Sequence, residues 1–279
     1  MKACDNNFVS VNNNKLQLSV VLIALNEQDN IARAIRSVSW ADEVLVYDSG
    51  STDQTLSIAK KMGAVVVEGK WQGFGKTKQA GAALAKHDWI LSLDCDEEVT
   101  GALASELHKK METLNPKTLY KTPRASFYLG SWIRHGGWFP DYQGRLFNRQ
   151  FARWNEAEIH EKVEAESQEF LLSNLNHYVF KNVEHQVNTN NRYSSLLAKQ
   201  MHKNGKKFSW FHFFTKPRFK FFETYILKLG CLDGWAGFVI SRNAGYSVFL
   251  KWTKLREIEI LQKAGDLEIT KTNAHRDLL

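Results

Sequence analysis

The stretch Leu16-Gln-Leu-Ser-Val-Val-Leu-Ile-Ala-Leu25, running into Asn26-Glu27 and then Ile31, Ala34, Ile35 and Val38, decides the fold. Its first ten residues form a β-rich apolar run, and the apolar positions that follow recur at helical spacing, so a strand gives way to a helix. The unit then repeats. Glu43-Val-Leu-Val-Tyr47 reads as a second strand, and Ser51 with Gln54 three residues on resembles a capping box that opens a helix ending at Gly63. Ala64-Val-Val-Val67 is a third strand, Lys76 to Lys86 an alanine-rich helix and Asp88-Trp-Ile-Leu-Ser-Leu93 a fourth strand. The βαβαβαβ order predicts an α/β fold with a mostly parallel sheet and helices on both faces.

Outward from this core, a chain of 279 residues has room for about two domains, or for one large α/β domain with an appendage. From Thr118 to about Tyr178 the helical periodicity fades into short strand-like and aromatic segments, and from about residue 191 the text becomes helical, basic and aromatic. The expected organisation is a flexible N-terminus over 1–15, a catalytic-type domain over 16–190 and a C-terminal helical, membrane-surface-associating region over 191–279. Three cysteines, Cys4, Cys95 and Cys231, with no CxxC pair, cannot make a disulfide framework or a structural zinc site by themselves, which predicts a reducing compartment. The opening MKACDNNFVSVNNNK holds no apolar run of signal-peptide length, so secretion is not expected. The stretch from Trp235 to Trp252 is interrupted by Ser241, Arg242, Asn243 and Lys251, which predicts no membrane-spanning helix.

The formal charge of +7 is concentrated in one place. From Lys199 to Lys228 there are eight Lys and Arg against a single acid, Glu223, with nine aromatic residues interleaved, and the rest of the chain is close to neutral. Basic and aromatic together make an interfacial signature, because rings settle at lipid headgroups while nearby cations meet anionic lipid. The other readings of this window are a helical hairpin that lays its aromatics on the catalytic domain, and a single-strand nucleic-acid platform.

In open α/β sheets ligands bind beyond the carboxyl ends of the strands. Here the first strand delivers Asn26-Glu27, the second Asp48-Ser-Gly-Ser-Thr-Asp53 and the fourth Asp94-Cys-Asp96-Glu97-Glu98. Each has a local alternative: Asn26 and Ser51 suit helix caps, and acids suit a first helical turn. Asp94 and Asp96 are harder to explain as caps. They follow an apolar strand at a spacing of two, which places both carboxylates on one side of an extended backbone. Two hard oxygen ligands so placed suit Mg2+ or Mn2+ bridging phosphate oxygens. Three other phosphate patterns fail. Gly75-Lys76-Thr77 has Lys70 where a P-loop needs its first glycine, Gly73-Phe-Gly75 meets Lys78 where a dinucleotide fingerprint needs its third, and Glu98 departs from the Asp-x-Asp pattern of haloacid-dehalogenase phosphatases. Lys76 can still meet a phosphate on a glycine-rich loop, or the loop can be a plain flexible one.

The set Ala24-Leu-Asn-Glu27, Asp48-Ser-Gly-Ser-Thr-Asp53 and Leu93-Asp-Cys-Asp-Glu-Glu98, in this order and at these intervals, resembles family 2 glycosyltransferases of the GT-A fold. Phe127-Tyr-Leu-Gly-Ser-Trp-Ile-Arg-His-Gly-Gly-Trp-Phe-Pro-Asp-Tyr-Gln-Gly-Arg-Leu-Phe147 and Ile159-His-Glu161 resemble the branch of lipopolysaccharide inner-core β-1,4-glucosyltransferases. The resemblance implies a UDP-sugar donor and a Mg2+ or Mn2+ cofactor. It implies Asp48 on the nucleotide base, Asp94 on the ribose or metal and Asp96 on the metal, with Asn26, Glu27 and Lys76 lining the donor site. Asp141 falls where the family has its catalytic base, and Gln143 and Arg145 shape the acceptor and diphosphate region. His160 and Glu161 close the site, with His160 either reaching the metal or serving as a structural histidine. The pattern departs from many members, which carry Glu-Asp before Gln-x-x-Arg-Trp where this chain has Pro140-Asp141 and Gln-Gly-Arg-Leu.

The expected activity is therefore inverting, metal-dependent transfer of a sugar, glucose from UDP-glucose by the resemblance, to an inner-core heptose of lipopolysaccharide or lipooligosaccharide. The expected partners are the nucleotide-sugar donor, a lipid-linked saccharide acceptor and an anionic membrane surface, with the protein peripheral on the cytoplasmic face of the inner membrane. A nucleotidyltransferase of similar fold is the alternative, weakened by the missing Arg/Lys-bearing glycine loop after the first strand. Nucleic acid is not an expected partner, because strand ends rich in Asp and Glu repel a polyanion.

Overall fold

The computed structural model describes residues 16–155 and 161–265. In chain order the elements are β1 (Leu18–Ala24), α1 (Ile31–Ser37), β2 (Glu43–Asp48), α2 (Thr55–Lys61), β3 (Val65–Glu68), α3 (Phe74–Leu84), β4 (Trp89–Asp94), β5 (Glu97–Val99), α4 (Gly101–Lys110), β6 (Thr118–Tyr128), β7 (Ser131–Ile133), β8 (Asp141–Asn148), β9 (Arg153–Trp154), β10 (Val163–Glu164), β11 (Ser167–Phe170), β12 (Leu175–His177), α5 (Val183–Lys203), α6 (Trp210–Phe222) and α7 (Gly234–Ala264). The described residues fall into two compact units, one within 16–123 and 142–175, the other within 124–141 and 176–265. The stretches 124–141 and 176–190 thus group with the helices that the composition shift places after about residue 191.

In the first unit β3, β2, β1 and β4 lie side by side and parallel, and β8 joins β4 antiparallel, with Leu91 opposite Leu146 and Trp89 opposite Asn148. Six of the seven residues of β1 are buried, as expected for a parallel strand covered on both faces. One face carries Leu18, Val20, Leu22, Ile31, Ile35, Leu91 and Leu93; the other carries Val21, Leu45, Tyr47, Ile90, Phe147 and Trp154. Helix α3 approaches β1 closely, because a Cβ on Gly81 would stand 2.9 Å from a methyl of Val21. The buried face of this helix is therefore small and continuous, made of Gly75, Thr77, Lys78, Gly81 and Ala82.

Two sequence expectations shift. Helix α2 begins at Thr55 and not at Ser51: the Asp53 carboxylate accepts from Thr55 N at 2.9 Å, while the Ser51 hydroxyl donates to Asp48. The Ser51 hydroxyl is spent on the loops, donating to buried Asp48 and accepting from Asn26 N at 2.8 Å, instead of accepting from the first N–H groups of the helix. Helix α3 runs from Phe74 to Leu84, two residues earlier at each end than the alanine pattern indicated.

In the second unit α7, 31 residues long, packs against α5 and α6. Lys254 on α7 donates to Asn191 O, Asn191 Oδ1, Ser194 Oγ and Ser195 Oγ of α5 at 2.6–2.9 Å, so one ammonium ties two helices together. Tyr128, Ile133, Ala236 and Ile240 form one small core and Ala198, Trp252 and Leu255 another. The reversal into α7 is tight: Gly237 leaves no room for a Cβ against the Gly230 carbonyl, and a Cβ on Gly245 would stand 2.9 Å from the Pro217 carbonyl. Among the described residues no helix is long and apolar enough to cross a membrane.

Helix α6 buries none of its residues. Trp210, Phe211, Phe214, Phe219 and Phe222 are exposed on it, and Ile226, Leu227, Leu229, Leu232 and Trp235 continue the exposed apolar surface into α7, with Phe211 at 72% and Trp235 at 71%. Large apolar side chains thus meet water repeatedly along the chain from Trp210 to Trp235.

Candidate active site

Three loops of the first unit meet at the carboxyl ends of β1, β2 and β4. Asn26, just past β1, has φ of 57°, a left-handed conformation that Asn tolerates better than most residues. Its side-chain oxygen accepts from Thr52 N at 2.9 Å and its own N–H donates to Ser51 Oγ at 2.8 Å. Glu27 N donates to Thr55 Oγ1 at 2.8 Å and Gln28 N to Asp53 at 3.2 Å, so the loop after β1 is fastened along its length to the loop after β2. Asp48, almost fully buried, shapes that second loop: its carboxylate accepts from Gly50 N at 2.9 Å, Ser51 N at 2.8 Å and the Ser51 hydroxyl.

The loop after β4 alternates half-buried Asp94, buried Cys95 and half-buried Asp96. The Cys95 thiol donates to Ile23 O at 3.2 Å. Burial first, and then the charges of Glu27, Asp94, Asp96 and Asp48, push this thiol well above its usual range.

Asp94 is held from two sides. Lys78 Nζ lies 3.0 Å from its Oδ1, and Arg145 donates to its Oδ2 at 2.6 Å. Arg145 also donates to Glu97, whose other oxygen accepts from Asp94 N at 3.1 Å. Lys78 reaches Glu161 at 3.2 Å and lies over the Trp154 ring, 4.8 Å from its centroid. Burial alone would lower the Arg145 pKa, but Asp94 and Glu97 more than offset it and hold the guanidinium firmly charged. Two cations against three carboxylates leave the cluster net negative, before Asp96, Asp48 and Glu27 are added.

Of the expected site residues, Asn26, Glu27, Asp48, Asp94, Asp96 and Arg145 all lie in or beside these loops. Gln143 lies half-buried on β8, two residues before Arg145. Lys76 is exposed on α3; the lysine that the fold brings to Asp94 is Lys78. Its signal was present in the sequence, since Lys78 shares the small-residue face with Gly81 and Ala82. His160 lies outside the described residues. Among the described residues no three His, Cys, Asp or Glu side chains converge on one metal position.

Asp141 belongs to the second unit. Arg124 donates to its Oδ2 through Nε at 3.0 Å and Nη2 at 2.7 Å, an ion pair that sequence reasoning did not anticipate.

The model of the glycosyl transferase family 2 matches residues 19–165. An uncharacterised glycosyltransferase of Rickettsia typhi is 32% identical over 259 residues, covering 88% of each chain. The lipopolysaccharide core biosynthesis glycosyltransferase LpsC of Rhizobium meliloti is 24% identical over 270 residues, 91% of this chain and 97% of its own. A glucosyl-3-phosphoglycerate synthase of Mycobacterium tuberculosis, solved with Mn2+, UDP-glucose and phosphoglyceric acid, matches at 31% identity over 39% of this chain and 44% of its own with a TM-score of 0.35, too partial an overlap to carry an argument. With the family's motifs at the ends of β1, β2 and β4 and its model matching more than half of the chain, the protein belongs to glycosyltransferase family 2.

Proposed function

We propose that this glycosyltransferase is inverting and metal-dependent, and that it moves glucose from UDP-glucose to an inner-core heptose of lipopolysaccharide or lipooligosaccharide at the cytoplasmic face of the inner membrane. The observation that carries the donor chemistry is the charge at the strand ends. A diphosphate approaching a net negative edge is repelled unless a cation stands between them. Asp94 and Asp96 offer oxygen ligands only, and Mg2+ or Mn2+ is commonly held by one or two carboxylates with water and substrate phosphates completing the sphere. The residues therefore fit such an ion. When bound, it would neutralise charge on the departing diphosphate.

The chain's own groups do the rest. Asp48 holds the loop of residues 48–53 in the shape that receives the nucleotide base, and Asn26 and Glu27 fasten that loop in place. Lys78 and Arg145 orient Asp94 and set the local field. Asp141, steadied by Arg124, takes the proton of the acceptor hydroxyl as it attacks the anomeric carbon, the single displacement that inverts configuration.

Membership in family 2 favours sugar transfer over nucleotidyl transfer. The lipid-linked acceptor and the peripheral position are supported by the likeness to LpsC, by the basic window from Lys199 to Lys228 and by the exposed aromatic face of α6. The test is hydrolysis and transfer with a panel of nucleotide-sugar donors, each with Mn2+ and with Mg2+. UDP-glucose should be turned over best. Equal turnover in excess chelator, or no turnover of any nucleotide sugar, would overturn the proposal.

A further inference from the structure

The second unit contains a cavity lined by none of the residues assigned above to the transfer reaction. It measures about 280 Å3 and lies among α5, α6, α7 and the segments carrying Trp138 and Phe180. Trp138, Phe180 and Val248 give it an apolar wall, while Gln186, Lys220 and Lys251 give it polar groups. No carboxylate lines it. Gln186 is buried, and its side-chain oxygen already accepts from Tyr128 at 2.8 Å and Asn243 at 2.7 Å, so what it has left to offer is an N–H donor.

The lysines are not balanced. Lys220 pairs with Glu223 at 3.1 Å and shares that acid with Lys228, at 2.6 Å. Among the described residues no carboxylate pairs with Lys251. Burial first, and then the charges of Lys220 and Lys216, lower the Lys251 pKa, so its ammonium stands partly desolvated and facing like charge. A half-buried cation beside like charges is stabilised by a counter-charge. An anion entering the cavity would relieve both penalties at once.

We propose that this cavity is a binding site for a phosphoryl group carried on a small amphipathic body, with Lys220 and Lys251 on the phosphate and Trp138, Phe180 and Val248 on the apolar part. A phosphate monoester carries up to two charges and several acceptor oxygens, which matches a cavity lined by two lysines and an amide donor better than a single carboxylate does. The volume of about 280 Å3 lies just below the roughly 300–1,000 Å3 of ligand pockets, which suits a phosphorylated headgroup and not a whole nucleotide sugar. The source is either a lipid headgroup or a free phosphorylated metabolite, and the experiment separates them.

The test is calorimetric titration of the full chain with three probes: inorganic phosphate, dihexanoyl-phosphatidic acid below its micelle concentration, and dihexanoyl-phosphatidylcholine. Monomeric lipids present no surface, so the result is independent of membrane adsorption and of transferase activity. Saturable binding of the phosphatidic acid, weakened about tenfold or more in Lys251→Gln, kept in Lys251→Arg and unchanged in Lys199→Gln, at an exposed position of α5, is the expected result. Ser247→Leu, which fills the cavity without touching a charge, should also abolish binding. Phosphate alone binding as tightly as the lipid would retain the phosphoryl site but assign it to a free anion. No saturable binding of any probe, equal binding of the choline lipid, or affinity unchanged in both Lys251→Gln and Ser247→Leu would overturn the proposal.

Discussion

Lys78 and Asp94 come within 3.0 Å of each other although 16 residues separate them, and the lysine side chain is only 5% exposed there. A buried ammonium thus occupies one oxygen of a carboxylate expected to bind metal. Lys78→Met should have two effects of opposite sign. Stability should fall by about 1–3 kcal/mol, since Asp94 and Glu161 lose a charged partner in a partly desolvated site. Affinity of the nucleotide-free protein for Mn2+ should rise, because the ion no longer competes with Lys78 for Asp94. Urea denaturation and Mn2+ titration followed by electron paramagnetic resonance measure the two; weaker Mn2+ binding would remove Asp94 from the metal site.

Asp96 sits half-buried at the turn after β4, so its removal should be tolerated by the fold. Asp96→Ala should abolish transfer and also the metal-dependent part of nucleotide-sugar binding, with little change in melting temperature. Binding of UDP-glucose by Asp96→Ala that still responds to Mn2+ would move the metal elsewhere.

For Asp141 the expected split is between turnover and affinity. Asp141→Asn keeps size and polarity, and should lower kcat by about 10²–10⁴-fold while leaving donor affinity unchanged. Arg124→Met removes the group that steadies the carboxylate and should cost less in kcat than Asp141→Asn. Turnover of Asp141→Asn within a few-fold of the unaltered protein places the base elsewhere. Glu97, Glu98 and Glu161 would then be the next candidates.

The exposed rings of the second unit make a separable case. Replacing Trp210, Phe211 and Trp235 with serine should leave the melting temperature unchanged, since little packing is lost, and reduce adsorption to anionic vesicles tenfold or more. Adsorption of the unaltered protein should weaken as salt rises, reflecting the lysines. Sedimentation with vesicles measures both. Indifference to anionic vesicles at low salt would refute the peripheral position.

The four parallel strands were legible within a residue or two because each is a short apolar run, in β1 and β4 buried almost throughout, and the acids at the ends of β1, β2 and β4 stand out against that background. The pairing of β8 beside β4 was not legible: antiparallel insertion from more than 50 residues downstream leaves no local periodicity to read. The same distance hid the Arg145 pairings, which needed the register Leu91 opposite Leu146 to become visible. Ser51 misled because a capping box and a loop hydroxyl have the same sequence, and the choice between them was made by buried Asp48. Arg124, on a strand with no motif of its own, gave no sign that it would meet Asp141.

The close approach of Gly237 to the Gly230 carbonyl, and of Gly245 to Pro217, carries a kinetic and entropic consequence. Helices α6 and α7 are already wound and locked where the exposed apolar residues Leu229, Leu232 and Trp235 are displayed. An amphipathic segment that coils in water must lose about 1–2 kcal/mol of backbone entropy per residue when it orders on a target. This surface has lost that freedom at folding, so contact with an apolar phase should need no added helicity. A circular dichroism spectrum that stays the same from free to vesicle-bound protein follows directly from two glycines too crowded to carry a side chain.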